Sequence, residues 1–174
     1  GHEVFYVTYY GIGDPKSKLP NDLDIVFISS ITYTAPLAYA LSKAFKKDGT
    51  LTVLGGPHAK AFPMDSKRFF DIVVLECDRV LIAAIIKKEF SPPCVVSSPK
   101  PYREVPSVAE RLPEIKRSAF AAGRWPYQGT FIPMLASMGC PHTCDFCVDW
   151  NNPYFALPSS QLKEDLFYVS KNLP

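Results

Sequence analysis

Residues 24–58 read Asp-Ile-Val-Phe-Ile-Ser-Ser-Ile-Thr-Tyr-Thr-Ala-Pro-Leu-Ala-Tyr-Ala-Leu-Ser-Lys-Ala-Phe-Lys-Lys-Asp-Gly-Thr-Leu-Thr-Val-Leu-Gly-Gly-Pro-His. Asp24 to Ser29 is a near-continuous apolar run, the pattern of a parallel strand covered on both faces. Pro36 suits the first turn of a helix. Leu37, Ala40, Leu41, Ala44 and Phe45 then recur at helical spacing until Asp48-Gly49 ends the pattern. Leu51 to Leu54 makes the next strand and runs straight into Gly55-Gly56-Pro57-His58. A strand, a helix and a second strand ending in two glycines form the start of a βαβ unit.

The same alternation extends outward. Val4 to Tyr9 is β-branched and aromatic and reads as a strand. Asp71 to Leu75 is another, and Arg79 to Glu89 a helix. Residues 1–90 are therefore expected to form a doubly wound α/β domain with a parallel sheet. Across 91–129 the prolines, among them Pro92, Pro93, Pro106, Pro113 and Pro126, predict an extended connection with at most one short helical turn. Residues 130–174 then open a second unit. Thr130 to Ser137 reads as a strand, Met138 to Asn152 as a loop, and the stretch from Ser159 onward as a helix capped by Ser159 or Ser160. Glu164 and Asp165 fall in its first turns, and Leu162, Leu166, Val169 and Leu173 form one apolar stripe.

Composition narrows the function. The 174 residues are 47% hydrophobic and 21% charged, with a formal net charge of +2. That balance gives no field favouring nucleic acid, and Lys46-Lys47 and Lys87-Lys88 read as solvated helix ends. No stretch approaches the roughly 20 apolar residues of a membrane span, and the first residues lack the pattern of a signal peptide. Five cysteines, an odd number with three clustered, point to a reducing compartment and metal ligation, hence to a cytosolic protein. Cys77 and Cys94 read as buried or incidental thiols, and Trp125, Tyr127 and Trp150 as packing residues or the lining of a substrate cavity.

The cluster is Cys140-Pro-His-Thr-Cys144-Asp-Phe-Cys147. Three thiols within eight residues suit an iron–sulfur cluster. Three ligands on a four-iron cluster leave one iron open to a substrate or cosubstrate. A zinc site with His142 as fourth ligand is the alternative, and a cramped one, because His142 lies between two of the cysteines.

The spacing of three residues and then two, with an aromatic before the last cysteine, resembles the signature of the radical S-adenosylmethionine superfamily. The resemblance implies a [4Fe–4S] cluster on Cys140, Cys144 and Cys147, with S-adenosylmethionine chelating the fourth iron. It implies reductive cleavage to a 5′-deoxyadenosyl radical, with Phe146 near the adenine. It also implies that the loop follows the first strand of a partial β/α barrel, and that a flavodoxin or ferredoxin supplies the electron. Ser29, Thr32, Gly55, Gly56 and His58 occupy positions resembling those of the Rossmann-like cobalamin-binding domain found in front of many such enzymes. There they would surround the nucleotide tail of cobalamin. An acidic match at Leu75-Glu76-Cys77-Asp78 replaces that domain's glycine and glutamate, and the loop carrying its lower axial histidine is absent.

The expected activity is that of a cobalamin-dependent radical enzyme, typically a methyltransferase, with the chain an internal piece of a larger protein and inactive alone. A radical enzyme without cobalamin and a zinc-binding interaction module are the competing readings. The sequence names no substrate.

Overall fold

The computed structural model describes residues 1–99, 105–118, 132, 134–148 and 153–172, without the side chains of 114 and 116–118. Trp125, Pro126, Tyr127, Thr130, Trp150, Asn152 and Leu173 lie outside the described residues. The chain divides into two compact units, Gly11–Tyr102 and a second made of Gly1–Tyr10 with Arg103–Pro174.

In the first unit the elements run β1 (Ile25–Ser29), α1 (Ala35–Lys46), β2 (Leu51–Gly55), α2 (Pro57–Ala61), α3 (Pro63–Ser66), β3 (Ile72–Val74), α4 (Arg79–Ile86) and β4 (Cys94–Val96). The four strands form one parallel sheet in the order β1-β2-β3-β4. Successive side chains of a strand point to opposite faces, and the packing follows that rule. Leu54 and Val73 meet Ala38 of α1, Ala59 of α2 and Phe70 on one face. Val53, Ile72 and Val74 meet Ile85 of α4 on the other. Helices thus cover both faces of a parallel sheet, as the alternation of strand and helix predicts.

Three expectations need correction here. β1 is not covered on both faces: it stands at the end of the strand order, and Phe27 is 46% exposed. The buried side of α1 is Ala35, Ala38, Ser42 and Phe45, while Ala40 faces out and Leu37, Leu41 and Ala44 are half-buried. Small residues let the helix lie close to the sheet, and Ser42 is tied there by donating to the Phe69 carbonyl (2.7 Å), with its Oγ also 3.1 Å from Thr52 Oγ1. Finally, the proline-rich stretch is not merely a connection. Cys94–Val96 joins the sheet beside β3, because its β-branched run can bury against Ile72 and Val74.

The second unit holds α5 (Val108–Ser118), β5 (Ser137–Met138), β6 (Phe155–Ala156) and α6 (Ser159–Asn172). α5 contains Pro113 and is longer than the single turn expected. Its start carries a reciprocal cap: Glu110 N–H donates to Ser107 Oγ (3.2 Å) and Ser107 N–H donates to Glu110 Oε2 (2.8 Å). Asp165, 5% exposed, accepts from the Val108 amide at 2.7 Å and ties α6 to the first turn of α5. α6 begins at Ser159, so Glu164 and Asp165 fall after its first turn, and Leu166 of its apolar stripe is 54% exposed.

Val4 to Tyr9 is not a strand. β propensity is a weak and context-dependent preference, and over this segment the chain is irregular. Of the strand expected over 130–137, several positions lie outside the described residues, and the described part shows Ser137–Met138 as β5, paired antiparallel with β6. No helix among the described residues is long and apolar enough to cross a membrane.

The amino ends of the strands are joined by Asp71. Its Oδ2 accepts from the amide (2.9 Å) and hydroxyl (2.8 Å) of fully buried Thr52, and its Oδ1 meets Lys46 Nζ at 2.8 Å. Burial alone would raise the Asp71 carboxyl, but Lys46 and the two Thr52 donors together hold it below its ordinary value. A depressed carboxylate stabilises the fold above its unfolded pKa, and that contribution is lost as pH falls through the lower folded value. Replacing Asp71 by Asn is expected to lower unfolding free energy by about 2 kcal/mol at neutral pH. The variant should also lose less stability than the parent below about pH 4. Urea titrations at pH 7 and at about pH 3.5 check both.

Candidate functional site

The carboxyl ends of β1 and β2 bring together all five residues singled out in the first unit. Ser29 and Gly55 are paired neighbours in the sheet. Past them the two loops are stitched by the backbone: Ser30 N–H donates to the Gly55 carbonyl (3.2 Å) and His58 N–H to the Ser30 carbonyl (3.0 Å). Ser30 itself is buried.

The two glycines have different roles. Gly56 has φ of +89°, and a Cβ there would lie 2.7 Å from Ser29 Oγ and 3.0 Å from the Ser30 carbonyl oxygen. Only glycine fits, because both the backbone and the space exclude a side chain. Gly55 has no positive φ, and a Cβ there meets nothing within 4 Å. Its bare backbone instead fronts open space at the end of the sheet, where α/β folds take their ligands. Ser29 and Thr32 are exposed beside it.

His58 is not presented to that space. It is 4% exposed, and both ring nitrogens are engaged, Nε2 with the Tyr39 hydroxyl at 2.7 Å and Nδ1 with Thr32 Oγ1 at 3.3 Å. Tyr39 in turn donates to Asp65 Oδ2 (2.9 Å), and its ring stacks on Phe69 with centroids 4.0 Å apart. Burial pushes the Tyr39 hydroxyl up, and the neighbouring Asp65 carboxylate adds to it. The reading of His58 as a direct ligand contact therefore becomes one of a buried brace between the β1 and β2 loops. Sequence alone did not select Tyr39, Asp65 or Ser30. A polar-tipped aromatic one residue past buried Ala38 is the signal that was available.

The acidic residues after β3 are also engaged by the protein. Glu76 forms an ion pair with Lys60 of α2. Asp78 caps α4 by accepting from the Leu81 amide (2.8 Å) and accepts from Ser98 Oγ (2.6 Å). The Ser98 hydroxyl, then the Leu81 amide, hold the Asp78 carboxyl below its usual value. Cys77 is exposed rather than buried, and desolvation followed by Asp78 and Glu76 raises its thiol. Cys94 is half-buried against Ile72 and Val74, as a packing thiol.

In the second unit Cys140, Cys144 and Cys147 share one loop. Gly139, at φ +69°, turns the chain out of β5, and the Cys147 amide closes a tight turn on the Cys144 carbonyl at 3.1 Å. The ladder of β5 with β6, extended by Leu157 N–H donating to the Ala136 carbonyl (2.9 Å), holds the two stems of the loop together. The chain thus returns as a strand before α6, where the sequence suggested a direct passage into the helix. Cys144 is exposed, Cys140 and Cys147 are half-buried, and none of the three is in a disulfide. Phe146 stands 86% exposed, and His142 is exposed as well. Among the described residues no three His, Cys, Asp or Glu side chains converge into a metal-holding group. The donor set, three thiols within eight residues of one loop, fits a thiolate-bound cluster in its chemistry.

The chain is 31% identical over 146 residues to bacteriochlorophyllide d C-8(2)-methyltransferase of Chlorobaculum tepidum. The match covers 78% of this chain and 30% of that protein, so the chain spans less than a third of the relative's length. No family model matches the chain, and no solved structure matches it significantly.

The contrast between the glycines is measurable. Gly56→Ala is expected to lower stability by about 2–3 kcal/mol from left-handed strain and the clash with Ser29. Gly55→Ala should stay within about 0.5 kcal/mol of the parent, as a substitution into open space. Urea unfolding of the two variants side by side decides it.

Proposed function

We propose that this chain is part of a radical S-adenosylmethionine enzyme of the cobalamin-dependent kind, acting as a methyltransferase in its whole form. The observation carrying this is the set of three thiols Cys140, Cys144 and Cys147, none of them in a disulfide, on one glycine-turned loop and in the spacing of that superfamily. Likeness to a methyltransferase over most of the chain supports the reaction class. The relative acts on a bacteriochlorophyllide, and a tetrapyrrole of that class is the first substrate to offer the intact protein.

Under this reading Cys140, Cys144 and Cys147 are the three protein ligands of a [4Fe–4S] cluster. When bound, the cluster supplies the electron that cleaves S-adenosylmethionine at its open iron. The protein keeps the three thiols on one short loop, and Gly139 sets the angle at which that loop leaves β5. Phe146, already outward-facing, provides an apolar face for the adenine. In the first unit Gly55 lets a bulky ligand come close to the end of the sheet, while Ser29 and Thr32 offer hydroxyls to its polar groups. Cobalamin is the ligand proposed there, and Ser29, Thr32, Gly55 and Gly56 would line its nucleotide tail, with His58 bracing the Thr32 loop from within. A ferredoxin or flavodoxin serves as the electron donor.

Two experiments test this. Anaerobic reconstitution with iron and sulfide should give about four irons per chain and a reduced-state electron paramagnetic resonance signal. Changing Cys140, Cys144 and Cys147 to Ala should abolish both, whereas tight zinc in place of iron would sink the proposal. Gly55→Val should keep the melting temperature within about 3 °C. It should also weaken hydroxocobalamin binding at least tenfold by equilibrium dialysis, and unchanged binding would remove cobalamin from this edge.

A further inference from the structure

The polarity of the hydrogen bonds behind the sheet edge follows from the hydrogens each group owns. Asp65, paired with Arg68 (Nη1 to Oδ1, 3.1 Å), is a carboxylate and only accepts. The one hydrogen of the Tyr39 hydroxyl therefore goes to Asp65 Oδ2 at 2.9 Å. The Tyr39 oxygen keeps only lone pairs for His58 Nε2, 2.7 Å away, so the imidazole supplies that hydrogen. An imidazole has one ring hydrogen, which leaves Nδ1 bare. The 3.3 Å contact between Nδ1 and Thr32 Oγ1 is then a bond donated by the threonine. Thr32 is exposed, and with its hydrogen directed inward it shows the open end of the sheet only the lone pairs of its oxygen.

We propose that Thr32 is a specificity-determining contact that accepts a hydrogen bond from a ribose hydroxyl of the ligand and disfavours a phosphate oxygen, with His58 and Tyr39 its positioning residues. The inference rests on the reading of this edge as a cobalamin site. The nucleotide tail of cobalamin holds both kinds of group: its ribose hydroxyls can donate, whereas its phosphodiester oxygens only accept. A phosphate oxygen at Thr32 would meet lone pairs. To bond it, the threonine would have to turn its hydrogen outward and leave His58 Nδ1 without a partner. His58 is buried, so losing that bond is the unfavourable exchange.

The rings that set this polarity are held in place. Tyr39 stacks on Phe69 with centroids 4.0 Å apart, and the His58 ring contacts Tyr39 and Phe62 at 5.7 and 5.3 Å. That packing resists the ring flip that would exchange Nδ1 and Nε2. The direction of every bond is thus decided by the carboxylate at the inner end and read out at Thr32. Without the Tyr39 hydroxyl, Nε2 would lose its acceptor and the hydrogen could move to Nδ1. Thr32 would then accept from His58 and turn its own hydrogen to the ligand.

The test begins without ligand. With His2 and His142 changed to Gln, His58 is the one histidine left, and long-range proton–nitrogen spectra should show hydrogen on Nε2 alone. Hydrogen on Nδ1, alone or together with Nε2, overturns the inference, because Thr32 would then face outward with its own hydrogen. Equilibrium dialysis next compares hydroxocobalamin with cobinamide phosphate, which keeps a phosphate and lacks the ribose. Thr32→Val should weaken cobalamin binding about fivefold to tenfold and leave cobinamide phosphate within about twofold of the parent. Thr32→Ser should bind both ligands as the parent does. Tyr39→Phe should weaken cobalamin binding on its own but add nothing in the Thr32→Val background. Unchanged cobalamin binding by Thr32→Val, or equal losses for both ligands, overturns the ribose contact and leaves the cobalamin reading standing. No binding of hydroxocobalamin by the parent removes that reading and the contact with it.

Discussion

The first unit depends on a close approach at Gly56, where the chain leaving β2 passes within bonding distance of the chain leaving β1. Ser29 Oγ and the Ser30 backbone occupy the volume a side chain would need, and the positive φ turns the chain into α2. From that contact follow the bonds of Ser30 with Gly55 and His58, and the placement of His58 against Thr32. The sheet edge is rigid because these bonds are made between backbones, which no rotamer change can undo. One residue earlier the opposite condition holds at Gly55, where empty space lies beyond the backbone. A fixed wall with an adjacent opening is what a preformed ligand edge requires.

Polar groups inside this unit are used as ties at both ends of the sheet. Asp71, Thr52, Ser42 and Lys46 join the amino ends, and Thr32, His58, Tyr39 and Asp65 join the carboxyl ends. Between them the core is aliphatic and aromatic, split by the sheet into two clusters. A buried polar group without a partner costs about 1–3 kcal/mol, so each tie also fixes the register of the elements that supply its ends. The same economy explains why Glu76 and Asp78 contribute to helix placement before they can contribute to a ligand.

The cysteine loop follows a different logic. Its chemistry is carried by residue type and spacing, three thiols within eight positions, and needs no long-range packing to be recognised. Its geometry is only partly set by the fold. Gly139 and the β5–β6 ladder hold the stems, whereas the thiols stay accessible and unconverged. On the proposed reading, thiols on such a tethered loop would take their final arrangement from a bound metal, since metal binding and local ordering share one free energy.

Local pattern determined the strand runs at Ile25, Leu51 and Ile72, the helices after Pro36 and Arg79, and the spacing of the cysteines. These are legible because each depends on residues a few positions apart. Four matters were decided only by tertiary structure. Val4 to Tyr9 has the composition of a strand and is irregular, since composition alone does not decide which backbone pairs at a sheet's edge. Cys94–Val96 lies in a proline-rich stretch but found such an edge beside β3. β1 reads as a strand covered on both faces and stands at the end of the order with Phe27 exposed, because an apolar run does not report how many neighbours a strand has. His58 sits in a loop that looks built for a ligand, and the hydroxyl of Tyr39, nineteen residues earlier in the sequence, takes its ring. Spacing along the chain encodes the chemistry of a residue, but its availability depends on which distant groups the fold brings to it.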